Sequence, residues 1–249
     1  MVASGSHVRS ISGQTTSTVD LVTAEIRRAV LTGALPPGEQ FSIRELTKQL
    51  GVSHIPIREA LRRLEGQGLI VLKQAQSASV ASLTTEDMES IYNLRLAIEP
   101  QLAARSVPLH TEDHFARLRE LLELSRDEDP EVAWQGHHDF HEALVLPASS
   151  AWDLRVLNLL WTAAERYTHL VFDPTPIDER ERQRRYDLHA GLLQSAIDRD
   201  PALMQRLLSD HFTFNEDEIR VRIDALTKAA ARRTPPPTRG PAAEPNTGR

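Results

Sequence analysis

Between Ser42 and Leu72 the apolar positions repeat at helical spacing in two short runs, and then the period changes. Leu46 and Leu50 share one face of the first run. Ile57, Ala60, Leu61 and Leu64 share one face of the second. Ser42, with Glu45 three residues on, has the form of a capping box. Gly51 supplies a turn, and Ser53 stands where the second helix is capped. Gly68 ends that helix, and Leu69-Ile70-Val71-Leu72 reads as the first strand of a wing. Arg58, Arg62 and Glu65 lie away from the apolar face. Two short helices joined by a tight turn occur in many all-α proteins. The wing and the outward basic residues narrow the pattern to a helix-turn-helix, whose second helix enters the major groove of DNA.

From Thr84 onward the spacing is helical throughout. Thr84-Thr85-Glu86-Asp87 opens a helix with a capping residue and first-turn acids. Candidate helices cover 85–106, 111–127, 130–146, 151–172, 178–198 and 201–228. Their breaks fall at Pro108, Asp129-Pro130, Pro147 to Ser150, Pro174-Thr175-Pro176 and Asp200-Pro201. Pro100 lies inside the first and predicts a kink. No segment there alternates like a strand. The fold class expected is mainly α, an N-terminal winged helix-turn-helix plus a C-terminal all-α helical bundle. The divisions expected are a flexible leader at 1–17, the DNA-binding domain at 18–82, the helical domain at 83–229 and a disordered Pro-rich tail at 230–249.

Charge separates the two halves. The chain has 249 residues and a net charge of −6. From Thr18 to Ser82 there are 8 Lys/Arg against 6 Asp/Glu, which gives +2; from Leu83 there are 20 against 29, which gives −9; Arg9 adds +1. The acidic half is expected to stay off phosphates. A +2 domain binds DNA only moderately, so a homodimer on a palindromic double-stranded operator is expected. There is no Cys, which excludes disulfides and thiol catalysis. No apolar run approaches the ~20 residues that cross a bilayer, and the first residues lack the apolar core of a secretory signal. No membrane partner and a cytoplasmic location are expected.

Eight of the ten histidines lie between His110 and His211. His137 and His141 are four apart on one helix face, a spacing that suits two ligands of one metal. His189 and His211 sit among apolar neighbours in later helices. A buried imidazole needs a partner. A lone histidine of this kind is a core residue; four at such positions in one bundle point to metal.

Several fixed spacings together resemble the GntR family of bacterial transcription factors. They are Pro37-Gly38, Arg44-Glu45-Leu46, Leu50-Gly51-Val52-Ser53, the run from Pro56 to Leu64 (PIREALRRL) and the leading helix DLVTAEIRRAVLTGALPPGE. The likeness runs from about Val19 to Val80. It implies that Arg44 and Arg58 contact bases and phosphates, with Ser53, His54, Ile55, Arg62 and Gln74 in the same interface. The position of His54 is usually Arg in the family. The wing tip here, Lys73-Gln74-Ala75-Gln76-Ser77, lacks the usual Gly.

The helical half resembles the FCD branch of that family, an all-α sensing and dimerisation domain. Its metal-binding members carry Asp-x-x-x-His in a D-x-x-F-H-x-x-L context, then two later histidines. Phe140-His141-Glu142-Ala143-Leu144 matches, and His189 and His211 take the later places. The Asp position falls on His137. Asp139 is ~200° round the helix from His141 and is a poor substitute. The resemblance thus implies a metal site of His137, His141, His189 and His211. All-nitrogen ligation suits a divalent transition metal, zinc first and nickel or copper next, and disfavours manganese. His138 is expected to face solvent. Arg95 in IYNLRLAIEP, with Arg166 and Tyr167 in LLWTAAERYTHLVF, are the family-like effector residues. A guanidinium there either clamps a small carboxylate or pairs with Glu99. The run Arg180 to Arg185 is expected to be a solvated face.

The function implied is a metabolite-responsive DNA-binding regulator, usually a repressor, whose operator affinity follows a small carboxylate bound near the metal. No catalytic triad, phosphate loop or paired carboxylates stands out, so no enzyme is expected. Two alternatives stand beside it. One is an all-α metalloenzyme with an N-terminal interaction module, although four protein ligands leave no open position on zinc. The other is a regulator that responds to metal alone.

Overall fold

A computed structural model describes residues 17–73, 77–171 and 179–233. The chain divides into two compact units between Ser82 and Leu83.

The first unit begins with α1, Thr18–Leu31. Ser17 and Asp20 close a capping box at its start. Then come β1 (Gln40–Ser42), α2 (Ile43–Leu50), α3 (His54–Gly66), β2 (Ile70–Leu72) and β3 (Ser77–Val80). The three strands form an antiparallel sheet in the order β1-β3-β2. Ser42 and Glu45 form the capping box that the spacing predicts, with bonds of 2.8 and 3.1 Å. Gly51 turns the chain at φ 64°, where a side chain would be strained. Ile57, Ala60, Leu61 and Leu64 of α3 are fully buried against Ile26 of α1, Leu46 of α2 and Ala78 of β3. Arg63 donates to Asp20 at 2.7 Å and ties α3 to α1. Glu65 accepts from the Leu72 amide at 3.2 Å and holds β2 to the end of α3.

Two expectations are corrected here. Ser53 stands at the N-cap of α3 but its side chain makes no capping bond. Its backbone is extended (φ −72°, ψ 168°), which suffices to start the helix while leaving the hydroxyl outside it. Strand β1 was not anticipated. Gln74 lies outside the described residues.

The second unit is helical: α4 (Thr85–Ser106), α5 (Glu112–Leu124), α6 (Pro130–Val145), α7 (Ala151–Val171), α8 (Glu179–Ile197) and α9 (Pro201–Arg233). Short 3-10 turns follow α4 and α6. Helix α5 is shorter than the spacing predicts, because Ser125 already caps it. Helix α9 runs five residues beyond the predicted end at 228. Helix α4 continues through the buried Pro100. It packs on α9, α7 and α6, and α5 packs on α6 and α8. Tyr92, Leu118, Phe140, Tyr167 and Phe212 fill the core between them. Ser106 donates to the Val145 carbonyl at 2.8 Å and fixes the end of α4 against the end of α6.

One close approach sets the position of α6. A Cβ on Gly136 would lie 2.8 Å from Leu124 Cβ and 2.9 Å from the Leu124 and Ser125 backbone. Only glycine lets the two helices meet there, one residue before His137. No described helix is long and apolar enough to cross a membrane.

Candidate functional site

The first candidate surface is the outer face of α2 and α3. The apolar stripe that buries one side of α3 turns His54, Ile55, Arg58 and Arg62 outward, and all four are exposed. Arg44 on α2 is exposed beside them. The arginines of this region divide by partner. Arg63 is held by Asp20 at 2.7 Å and lies 3.9 Å from Glu59. Arg44, Arg58 and Arg62 have no ion-pair partner among the described residues. His54 Nδ1 lies 3.4 Å from the Thr47 hydroxyl. The result is three exposed cations without ion-pair partners, one on α2 and two on α3, of the kind that phosphates and base edges attract.

The second candidate site lies inside the helical unit. His137 and His141 come from α6, His189 from α8 and His211 from α9, and their ligand nitrogens all lie within 4.8 Å of one another. His141, His189 and His211 are buried and His137 is half-buried. The i, i+4 step on α6 points two rings the same way, 4.7 Å apart between centroids. Gly136 seats that helix against α5, and α8 and α9 deliver one ring each.

A hydrogen bond to backbone fixes the tautomer of one of the four. His189 Nδ1 is 2.7 Å from the Arg185 carbonyl oxygen, which only accepts. Nδ1 therefore carries the proton and Nε2 keeps its lone pair. That Nε2 lies 3.2 Å from His141 Nε2. Two imidazole nitrogens on one tetrahedral zinc, each at about 2.05 Å, stand about 3.3 Å apart. His141 Nδ1 and His211 Nδ1 are buried with no hydrogen-bond partner. The Asn215 amide is 3.2 Å from His211 Nε2. The atom facing it is the amide nitrogen Nδ2; only with the amide flipped would the Asn215 oxygen accept from Nε2–H and leave the Nδ1 lone pair free.

Burial pushes all four imidazoles well below the ordinary histidine value, and His189 to about 4. Neighbouring imidazoles push His137, His141 and His211 down further, and the bond to Arg185 partly offsets the shift of His189. At neutral pH the cluster is uncharged. Four neutral imidazoles with unused buried lone pairs fit a nitrogen-preferring divalent ion. Asp139 stands outside the cluster, accepting from Gln135 at 2.6 Å with Arg117 at 3.8 Å.

Two cavities flank the histidines, and Trp134, His137 and Thr168 line both. The smaller, of about 40 Å³, is bounded by Arg95, His138, His141 and Trp161. The larger, of about 110 Å³, is bounded by His189, His211, Asn215, Tyr186, Phe214 and several arginines. Arg126 lies over the Tyr186 ring at 4.5 Å and Arg184 over the Phe214 ring at 4.2 Å. Part of the run Arg180 to Arg185 thus turns inward: Arg182, Arg184 and Arg185 line the larger cavity, where a solvated face was expected. His138, expected to face solvent, is half-buried against Trp161 at 5.5 Å.

The effector residues are dispersed. Arg95 is buried and bonded through Nε to Glu99 at 2.6 Å, with its guanidinium 4.2 Å from the Phe212 ring centre. It lines only the smaller cavity. Arg166 and Tyr167 line neither; Asp87 at the start of α4 is the charged neighbour of both. Sequence reasoning missed Trp134, which stacks on His169 at 3.9 Å, and Asn215. The latter carries a signal, since it stands four residues after His211 on the same face of α9.

A winged helix-turn-helix followed by an all-α unit with a buried polar centre defines the class, a transcriptional regulator. The chain belongs to the GntR family. Residues 18–80 match the bacterial regulatory proteins of the gntR family, and residues 90–214 match the FCD domain. It is 28% identical over 214 residues to the HTH-type transcriptional regulator BphR of Paraburkholderia xenovorans, covering 82% of this chain and 86% of that one. It is 26% identical over 195 residues to a probable D-xylose utilization operon transcriptional repressor of Paenarthrobacter nicotinovorans, covering 77% and 82%. Among solved structures, Escherichia coli McbR/YncC shares the fold with a TM-score of 0.67 at 22% identity, over 87% of this chain and 100% of that one.

Proposed function

We propose that this regulator is a homodimeric repressor that releases a palindromic operator when a small carboxylate binds beside a metal in the helical unit. The observation that carries the reading is the quartet of neutral, inward-facing imidazoles next to a cavity of about 110 Å³ edged with arginines. His137, His141, His189 and His211 would hold zinc, nickel or copper, and the bound ion would supply a positive, Lewis-acidic centre for a carboxylate oxygen. Arg185 and Asn215 orient two of the rings. Trp134, Tyr186 and Phe214 shield the larger cavity from water. The arginines on its rim attract the rest of the anion.

The larger cavity is the proposed effector site. Arg95 is already paired with Glu99, and the cavity beside it, about 40 Å³, is less than half the size of the larger one. Arg44, Arg58 and Arg62 hold the operator. Two copies are needed because one +2 domain offers too few phosphate contacts for tight specific binding.

A second reading is favoured by the ligand count. Four protein nitrogens complete a tetrahedral shell, which suits a regulator that answers to metal alone. One titration separates the two. Operator affinity is measured by fluorescence anisotropy with metal-free and metal-loaded protein, each against a panel of small carboxylates. Release that needs both metal and acid supports the proposal. Release or binding that follows metal alone, with no effect of any acid, replaces it with metal sensing.

A further inference from the structure

Helix α3 presents a large apolar side chain to water at the place where a DNA-reading helix meets base edges. Ile55 is 78% exposed, more than any other large hydrophobic among the described residues. It is the second residue of α3 and lies outside the hydrophobic core that Ile57, Ala60, Leu61 and Leu64 build. Helical spacing puts Arg58 and Arg62, three and seven residues on, along the same side. Both are exposed and neither has an ion-pair partner among the described residues. The preceding Ser53 hydroxyl makes no bond to the helix. Ile55 is thus an apolar group set in a cationic surface, which fits a polyanion and argues against an apolar protein partner.

Isoleucine neither donates nor accepts a hydrogen bond, so it cannot read the polar edges of guanine, adenine or cytosine. The apolar feature of the major groove is the thymine C5 methyl group. We propose that Ile55 reads a thymine methyl in each half-site, and that the operator therefore carries thymine at that symmetric pair of positions. The proposal rests on the reading of α3 as the DNA-binding helix.

The test is a methyl deletion on the DNA. The operator is defined by selection from random sequence with full-length protein. Each thymine is then replaced singly by deoxyuridine, which keeps base pairing and removes only the methyl. Affinity is measured by anisotropy at fixed salt for wild type, Ile55→Ala and Arg58→Ala. At the symmetric pair, uracil is expected to weaken wild-type binding about fourfold per half-site, the equivalent of one buried methyl. Ile55→Ala is expected to show no such penalty. Wild type that ignores uracil at every thymine overturns the proposal, as does an equal penalty in Ile55→Ala. Arg58→Ala tells the two failures apart. If it loses affinity while uracil has no effect, only the thymine assignment falls. If it binds like wild type, α3 is not the reading helix and both readings fall.

Discussion

His189 Nε2 faces His141 Nε2 at 3.2 Å, where α8 meets α6. Lone pairs on both nitrogens would repel each other unless a proton or a cation lay between them. The Arg185 carbonyl keeps the proton of His189 on the far nitrogen. Burial keeps the rings from taking a second proton. In the proposed site a metal ion takes the place of the proton that a neutral His141 Nε2–H can otherwise share with His189 Nε2, and His189→Ala should abolish stoichiometric transition-metal binding. Metal analysis of purified protein, before and after chelation and reloading, checks this.

In the proposed metal site Asn215 would act on the metal through His211. Asn215→Ala should lower metal affinity about 10–100-fold without removing a ligand. Asn215→Asp puts an acceptor opposite His211 Nε2 and should recover most of it if the amide oxygen turns to that nitrogen in the metal-bound protein. Competition with a chromophoric chelator gives both affinities.

Arg58 and Arg63 sit five residues apart on α3, and only Arg63 has ion-pair partners among the described residues. Arg58→Ala should weaken operator binding by about 1–3 kcal/mol if it bonds a base edge, with no change in thermal stability. Arg63→Ala breaks the α3–α1 contact to Asp20, and should show in thermal stability rather than in base preference. Anisotropy titration and thermal melts on the same samples separate the two.

Arg95→Ala leaves the fully buried Glu99 carboxylate without its cation. The expected loss is about 3–5 kcal/mol of stability. Replacing both residues by apolar ones should recover most of that loss. Urea unfolding of the single and double variants distinguishes this structural role from effector binding.

His110 gives the bundle an acid limit. It is buried, stacked on Phe115 at 5.7 Å, with His114 and Arg199 as nearby charged or titratable groups. Burial lowers its pKa below 6.5, and its two neighbours lower it further. Below pH 6.5 the unfolded chain therefore binds a proton that the folded chain refuses. Its contribution to stability is full above about pH 6.5 and is lost as the pH falls toward the folded value. Metal-loaded His110→Leu should lose less stability than metal-loaded wild type between pH 7 and pH 5. Urea midpoints across that range provide the comparison.

Much of the fold is written in local signals. The Ser42–Glu45 capping box, Gly51 and the apolar stripe of α3 are short-range patterns, and each reappears in the structure as spaced. Strand β1 was illegible because three residues are too few to show alternation. In the helical unit, the Pro and Asp-Pro breaks mark most helix ends, whereas the end of α5 depends on where Ser125 caps it. The i, i+4 pair His137 and His141 shares a face by helix geometry alone. That His189 and His211 join them is a property of α8 and α9 packing, which no local pattern encodes. For the same reason the contact between Gly136 and Leu124 and the unequal cavities were out of reach of the sequence, whereas the Arg95–Glu99 pair, four residues apart on one helix, stood among the two readings of Arg95 and is the one formed. Ser53 shows the converse: it has the residue type of a cap, and extended backbone alone starts the helix.

Joint dependence on metal and carboxylate is the central claim, and Gly136→Ala offers a neighbouring check on it. A methyl at Gly136 pushes α6 off α5 and should reduce metal affinity along with about 1–3 kcal/mol of stability. The most direct measurement is operator release by wild type and His189→Ala, each incubated with the same zinc and titrated with the same carboxylate, with bound metal determined on both. The account predicts acid-driven release by wild type, and DNA binding that no longer responds to acid in His189→Ala. Equal release by both proteins, with no transition metal bound to either, would contradict it.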